Sequence, residues 1–270
     1  MEGTQTQPET TYVSPIGDPL VIGDPGDVLP SPQEVLEVVS ILQRAGMTFC
    51  VTQISALIYY GAPRVTSDRV LCVPDKDCEH AVALFESRDD LLEPCGPLPL
   101  NSPNLLNHKY PRFKAKGKIS FWQLVPASYS HLNCEPENIE WSLGGIPYPK
   151  LNLYVQRAID IKDGVELQEL IDGMDLSEEW GEENLNLDGT TDTEWLENYY
   201  QAFCADFRER GKDEMLVFID PTPTSRRQIW ERSVRNKQRR LGWKYSPERY
   251  ATRYRKHGST DPRTRNRPGV

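Results

Sequence analysis

Phe49-Cys50-Val51-Thr52-Gln53-Ile54-Ser55-Ala56-Leu57-Ile58-Tyr59-Tyr60-Gly61-Ala62-Pro63-Arg64-Val65-Thr66-Ser67-Asp68-Arg69-Val70-Leu71-Cys72-Val73-Pro74 is the stretch that decides the fold. Met47 to Thr52, rich in β-branched and aromatic side chains, predicts a short strand. Ser55 to Tyr60 predicts a short helix ended by Gly61, and Val70 to Val73 a second buried strand stopped by Pro74. Upstream, Ser31-Pro32-Gln33-Glu34 reads as a helix start, with Ser as cap, Pro at the first helical position and Glu at the third. Val35, Leu36, Val38, Val39, Ile41 and Leu42 give that helix a broad apolar face, and Gly46 closes it. Downstream, Asp77 to Ser87 predicts a helix with Ala81, Val82, Leu84 and Phe85 inward. Residues 88–110, with Pro94, Pro97, Pro99 and Pro103, read as loop, and Ile119 to Val125 as a third strand. The succession predicts an α/β (α+β) fold: a small mixed sheet with flanking helices.

Farther out the chain divides by composition. Residues 1–31 hold Pro8, Pro15, Pro19, Pro25 and Pro30 with too little apolar surface to offset ordering entropy, and are expected to be a disordered leader. Residues 32–150 form the α/β core. Residues 151–224 are an acidic helical region, with Leu151 to Ile159 and Val165 to Ile171 as helices. Between Asp160 and Glu214 stand eighteen Asp or Glu against four Lys or Arg, punctuated by Trp180, Trp195, Tyr199, Tyr200 and Phe203. Disordered acidic tails rarely carry such aromatics, so packed helices are expected there. Residues 225–270 are a basic, aromatic C-terminal tail.

Strand, turn, helix and then Arg-x-x-x-Asp entering a strand resembles the entry motif of nucleotidyltransferases. The quoted segment is similar to fungal proteins of nucleotidyltransferase-like fold, distant relatives of the toxin–antitoxin nucleotidyltransferases. The resemblance extends through Leu170-Ile171-Asp172-Gly173-Met174-Asp175, Glu179-Trp180-Gly181 and Leu241 to Tyr250, and so covers roughly residues 33–267. It implies that the turn after the first strand presents backbone N–H groups to nucleotide phosphates, closely approached where glycine stands. It implies further that two acids at alternate positions of the second strand, with a third from a neighbouring strand, hold divalent metal.

The chain departs from that pattern at the positions that matter chemically. Gln53 and Ile54 occupy the glycine pair, Asp68 is followed by Val70 where the second acid belongs, and Ile119 to Val125 contains no acid. A hard divalent cation needs several oxygen ligands. The sequence therefore predicts a catalytically degenerate protein, a pseudoenzyme with a binding or accessory role. Ser55, Arg64 and Asp68 are its candidate nucleotide-binding residues, and Asp68 alone is the candidate metal ligand and catalytic residue. The alternative is an active nucleotidyltransferase using Mg2+ and an unusual carboxylate set in which Asp68 converges with Glu140 or Asp172. Against either stands a purely structural role for Asp68, paired with Arg64 or capping a turn.

From Ser225 to Val270 the chain carries fifteen Lys or Arg against three Asp or Glu, so the remainder carries −21 of a net −9. Arg226, Arg227, Arg235, Arg239 and Arg240, interleaved with aromatics, suit a nucleic-acid backbone with base stacking. They equally suit a helix over Ser225 to Leu241 laid on the acidic region, and the matched opposite charges favour that internal docking. The 270 residues, 38% hydrophobic with a mean hydropathy of −0.59, fit one compact core with polar extensions. No apolar run approaches the ~20 residues that span a bilayer, and the polar start reads as no signal peptide, so an intracellular place, cytoplasmic or nuclear, is expected. The six cysteines are scattered without a CxxC pair, which argues against a disulfide framework or zinc site. Cys72 reads as a buried small hydrophobe rather than a ligand with Cys78 and His80.

Overall fold

A computed structural model describes residues 32–62, 64, 66–97, 106–210 and 220–241. The expected leader over 1–31, the cap at Ser31 and everything beyond Leu241 lie outside the described residues. Helix α1 (Pro32–Arg44) buries Val35, Val38, Val39, Ile41 and Leu42 on the face its periodicity predicts. It ends where Gly46 turns to φ 68° and the N–H groups of Gly46 and Met47 donate to the Gln43 and Leu42 carbonyls, at 3.0 and 3.1 Å.

The deciding stretch forms β1 (Cys50–Thr52), α2 (Ile54–Tyr59) and β2 (Asp68–Val73). Then follow α3 (Cys78–Glu86), β3 (Leu92–Pro94), β4 (Arg112–Ala115), β5 (Phe121–Pro126) and the one-turn α4 (Ala127–Ser130). One sheet has five strands in the order β1-β2-β5-β4-β3; β2 and β5 run parallel and the other neighbours antiparallel. A separate ribbon pairs β6 (Ile139–Trp141) with β7 (Pro147–Pro149). The first strand is shorter than expected, beginning at Cys50 rather than Met47, and the second starts two residues earlier, at Asp68. β3 lies in the stretch expected to be loop; it is an edge strand in which only Leu92 is buried, so it lacks an alternating pattern to read.

Strand alternation sends Val51, Leu71, Val73, Trp122 and Leu124 into the main core, with α1, α3 and the later helices. The opposite face carries a smaller cluster of Cys50, Val70, Cys72, Val125 and Cys134, flanked by Tyr110, Ala127, Tyr129, Leu132 and Ile139. Val70 and Gln123, register partners on β2 and β5, belong to the chemistry of that second face.

The C-terminal part is helical: α5 (Leu151–Asp160), α6 (Gly164–Met174), α7 (Glu178–Asn184), α8 (Thr193–Glu209) and α9 (Arg226–Leu241). Two glycines set how closely these helices approach. A Cβ at Gly173 of α6 would collide with the Tyr60 carbonyl oxygen, and one at Gly181 of α7 would collide with the indole of Trp230. Trp230, fully buried, anchors α9 between the acidic helices. No helix among the described residues is long and apolar enough to cross a membrane.

Candidate functional site

The turn between β1 and α2 holds Gln53 at φ 54°, ψ −136°. Side-chain-bearing residues avoid this conformation and glycine adopts it freely, so the backbone has a glycine turn's shape without the glycine. Gln53 is buried, and the Tyr154 hydroxyl donates to its carbonyl at 3.4 Å. Ser55, two residues on, is buried in the first turn of α2.

Around this turn lies a neutral amide and phenol network. Asn107 Nδ2 donates to Gln53 Oε1 at 3.4 Å, and the Tyr129 hydroxyl donates to Asn107 Oδ1 at 2.8 Å. Gln123 Nε2 donates to the carbonyls of Asn107 and, at 3.4 Å, Tyr110. Gln123 stands opposite Val70, so an amide and a valine adjoin on the two central strands. Its Oε1 is buried without a hydrogen-bond partner among the described residues.

Asp68, at the start of β2, is held by Arg112, whose Nη2 and Nε donate to its Oδ1 at 2.6 and 3.1 Å. Arg112 is itself fixed over the Phe121 ring, 3.9 Å from its centroid. Thr66 Oγ1 accepts from the Asp68 N–H at 3.0 Å and donates to its carbonyl at 2.8 Å. The expected pairing with Arg64 is not made, because Arg64 turns to Glu169 on α6, its Nε donating to Oε1 at 2.7 Å. The other acids considered are engaged elsewhere: Glu140 accepts from the Tyr59 hydroxyl at 2.9 Å, and Asp172 is buried within α6. Among the described residues no set of three carboxylate, His or Cys ligand atoms gathers about Asp68. A single carboxylate neutralised by Arg112, beside a valine and an amide, does not fit a hard divalent cation.

Helix α8 bears on the segment that supplies Asn107. His108 Nε2 meets Asp206 Oδ1 at 3.0 Å, and Lys109 Nζ lies 3.5 Å from the same oxygen. Tyr110 packs on Tyr129 at 4.6 Å, Tyr129 faces Tyr199 at 6.0 Å, and Tyr199 stacks on Trp195 at 4.9 Å. Burial, with Tyr199 nearby, pushes the Tyr110 hydroxyl up to about 12 and raises that of Tyr129 as well, so these two phenols are uncharged at neutral pH. At the helix start, the Asp192 side chain accepts from the Trp195 N–H at 2.9 Å and meets His131 Nε2 at 2.9 Å.

The basic helix α9 lies on acidic partners. Arg226 Nε reaches Asp160 at 2.6 Å, Arg227 pairs with Glu182, and Arg235 reaches Glu178 and, one turn back on α9 itself, Glu231, each at 3.0 Å. Lys237, buried, reaches Asp175 Oδ1 at 2.9 Å and the Leu176 carbonyl at 2.7 Å. Arg239 and Arg240 belong to α9, but their side chains lie outside the described residues. A cleft of about 540 Å3, lined by Asp75, Cys78, Val82, Tyr110 and Pro126, opens at the other end of the β2–β5 pair from Asp68.

Arg112, Asn107 and Gln123 are the residues here that sequence reading missed. Arg112 and Asn107 lie among loop-like residues with no periodicity, and Gln123 signals nothing until its register with Val70 is known.

No protein-family model matches the chain, and no curated protein matches it. Among solved structures it is similar to a crystal structure of ANT(2")-Ia in complex with adenylyl-2"-tobramycin, with 11% identity, 67% of this chain and 98% of that one covered, and a TM-score of 0.35. It is similar to a solution structure of the antibiotic-resistance factor ANT(2'')-Ia, with 9% identity, coverage of 67% and 92%, and a TM-score of 0.36. It is also similar to JHP933 from Helicobacter pylori, with 12% identity, coverage of 75% and 86%, and a TM-score of 0.32.

Proposed function

We propose that the chain is a nucleotidyltransferase-fold protein, of the kind the fungal resemblance implies, that has lost nucleotidyl transfer and serves as a binding or accessory component. The observation that carries this reading is the neutral network of Gln53, Asn107, Gln123 and Tyr129. It fills the neighbourhood in which the resemblance calls for phosphate contacts and two further acids. Phosphoryl transfer needs charge stabilisation at the attacking and leaving oxygens, and removing such groups adds several kcal/mol to a barrier. Asp68, the one acid kept, is paired with Arg112.

The full chain incubated with Mg-ATP, Mg-CTP or Mg-GTP is expected to release no pyrophosphate above a protein-free control. Turnover of any of the three that disappears in Asp68→Ala overturns the reading. Thermal-shift titration with the same nucleotides asks a separate question: a raised Tm without pyrophosphate makes that nucleotide a ligand. The nucleic-acid alternative gains no support from Arg226, Arg227 and Arg235, since each is engaged by a carboxylate of this chain.

A further inference from the structure

Cys50, Cys72 and Cys134, far apart in sequence, meet on the second face of the sheet. Cys50 of β1 is the register partner of Cys72 of β2. Cys134, in the loop after α4, reaches in from above, its thiol donating to the Cys72 carbonyl at 3.4 Å. All three are buried, and their Sγ atoms lie within 4.8 Å of one another. Three sulfurs around one cation at the usual ~2.3 Å metal–sulfur distance stand about 4 Å apart, so small side-chain adjustments would close this triangle on an ion.

We propose that Cys50, Cys72 and Cys134 form a buried site for one soft d10 cation, Zn2+ or Cu+. An all-sulfur donor set selects such ions and rejects Mg2+ and Ca2+, which need oxygen. Three thiolates satisfy Cu+ as they stand, and Zn2+ takes a fourth donor. Binding deprotonates the thiols, so each ion bound displaces their protons to solvent. The ion would tie β1 and β2 to the loop after α4, on the sheet face that carries Val70. The inference is independent of whether nucleotidyl transfer has been lost.

The test uses the full chain purified anaerobically with reductant. Zn2+ is titrated against a chelating dye, Cu+ against a competing Cu+ chelator, and Co2+ is added as a spectroscopic probe. The expected result is one ion per chain with Zn2+ or Cu+ and sulfur-to-cobalt charge-transfer absorption with Co2+. Cys134→Ser, a loop substitution, should weaken binding about tenfold or more while the circular dichroism spectrum is kept. Combined Cys78→Ser, Cys95→Ser and Cys204→Ser should leave binding intact. Failure of both ions to bind the reduced wild-type chain overturns the proposal. So does loss of binding in the combined outer-cysteine variant, or its survival in Cys134→Ser. A disulfide between Cys50 and Cys72 in the anaerobically prepared protein, seen by mass spectrometry, overturns it as well.

Discussion

At Gln53 two demands collide: the turn requires a backbone that favours glycine, while the buried network uses the amide. Backbone strain of this kind costs about 1–3 kcal/mol and persists only where surrounding contacts impose it. Gln53→Gly and Gln53→Ala both remove the contact with Asn107, but only alanine keeps the strain. Gln53→Gly is therefore expected to be the more stable of the two by about 1 kcal/mol in urea denaturation. An order reversed from this would mean that the turn relaxes when the amide is removed. Gly173 and Gly181 pose the converse problem, because each stands where a neighbour leaves no room for a methyl group. Gly181→Ala presses on the Trp230 ring and should cost about 1–3 kcal/mol. Gly173→Ala meets the Tyr60 carbonyl, a backbone group that cannot swing aside, and should cost more. Both glycines fall in pieces of sequence that carried the family resemblance, and close backbone approach gives a physical reason for glycine at each.

At the scale of elements, α8 is held at both ends by carboxylate–histidine contacts, which makes its docking sensitive to acid. Burial by itself raises the Asp192 carboxyl, but the Trp195 N–H and His131 outweigh it and hold the group below the usual carboxylate range. Asp206 behaves alike: burial raises it, and His108, Arg210 and Lys109 more than reverse the shift. A carboxylate depressed in the folded state stabilises the fold above its unfolded value of ~4 and loses that contribution as pH falls through the folded value. Trp195, stacked on Tyr199 and edge-on to His131, should therefore change its fluorescence as pH drops below about 4, ahead of global unfolding. Asp192→Asn should flatten that early change; if it does not, α8 is not released at this end. The Asp192 side chain is 38% exposed, so its share is about 1 kcal/mol or less.

Elements differed in how readily they could be read beforehand. Helix α1 was legible because Pro32, Glu34, Gly46 and the apolar spacing all agree. β1, β2 and β5 were legible from their apolar runs. β4 was not: Arg112–Ala115 is four residues long, with only Phe113 and Ala115 turned inward, too brief for alternation to be convincing. The position of Asp68 and the missing second acid were visible in the sequence. The network of Gln53, Asn107 and Gln123 was not, since Asn107 meets Gln53 only once the segment from Leu106 to Tyr110 is folded over β5.

For the whole molecule, the opposed charges of α9 and the acidic helices raise the question of whether charge or packing holds the C-terminal helix. Arg227 and Arg235 pair on the surface, their side chains 43% and 63% exposed, where solvent screens an ion pair and little stability is gained. Arg226 and Lys237 face carboxylates that are largely buried, so each is worth more, but they are two contacts on a sixteen-residue helix. Trp230 is fully enclosed between α7 and the core, and truncating a buried tryptophan costs about 3–5 kcal/mol. Packing should therefore dominate, with charge setting orientation. Trp230→Ala is expected to detach α9 and lower stability by about that amount, whereas Arg227→Ala and Arg235→Ala should each leave the urea midpoint nearly unchanged. Raising NaCl from 0.1 to 1 M should move the urea midpoint of the wild-type chain only slightly, because screening acts on the exposed pairs and spares the indole. A large salt-induced loss matching that of Trp230→Ala would instead make electrostatics the principal hold. In that case a polyanion could compete for α9, and the nucleic-acid reading of the basic tail would return as a displacement of the helix from its acidic seat.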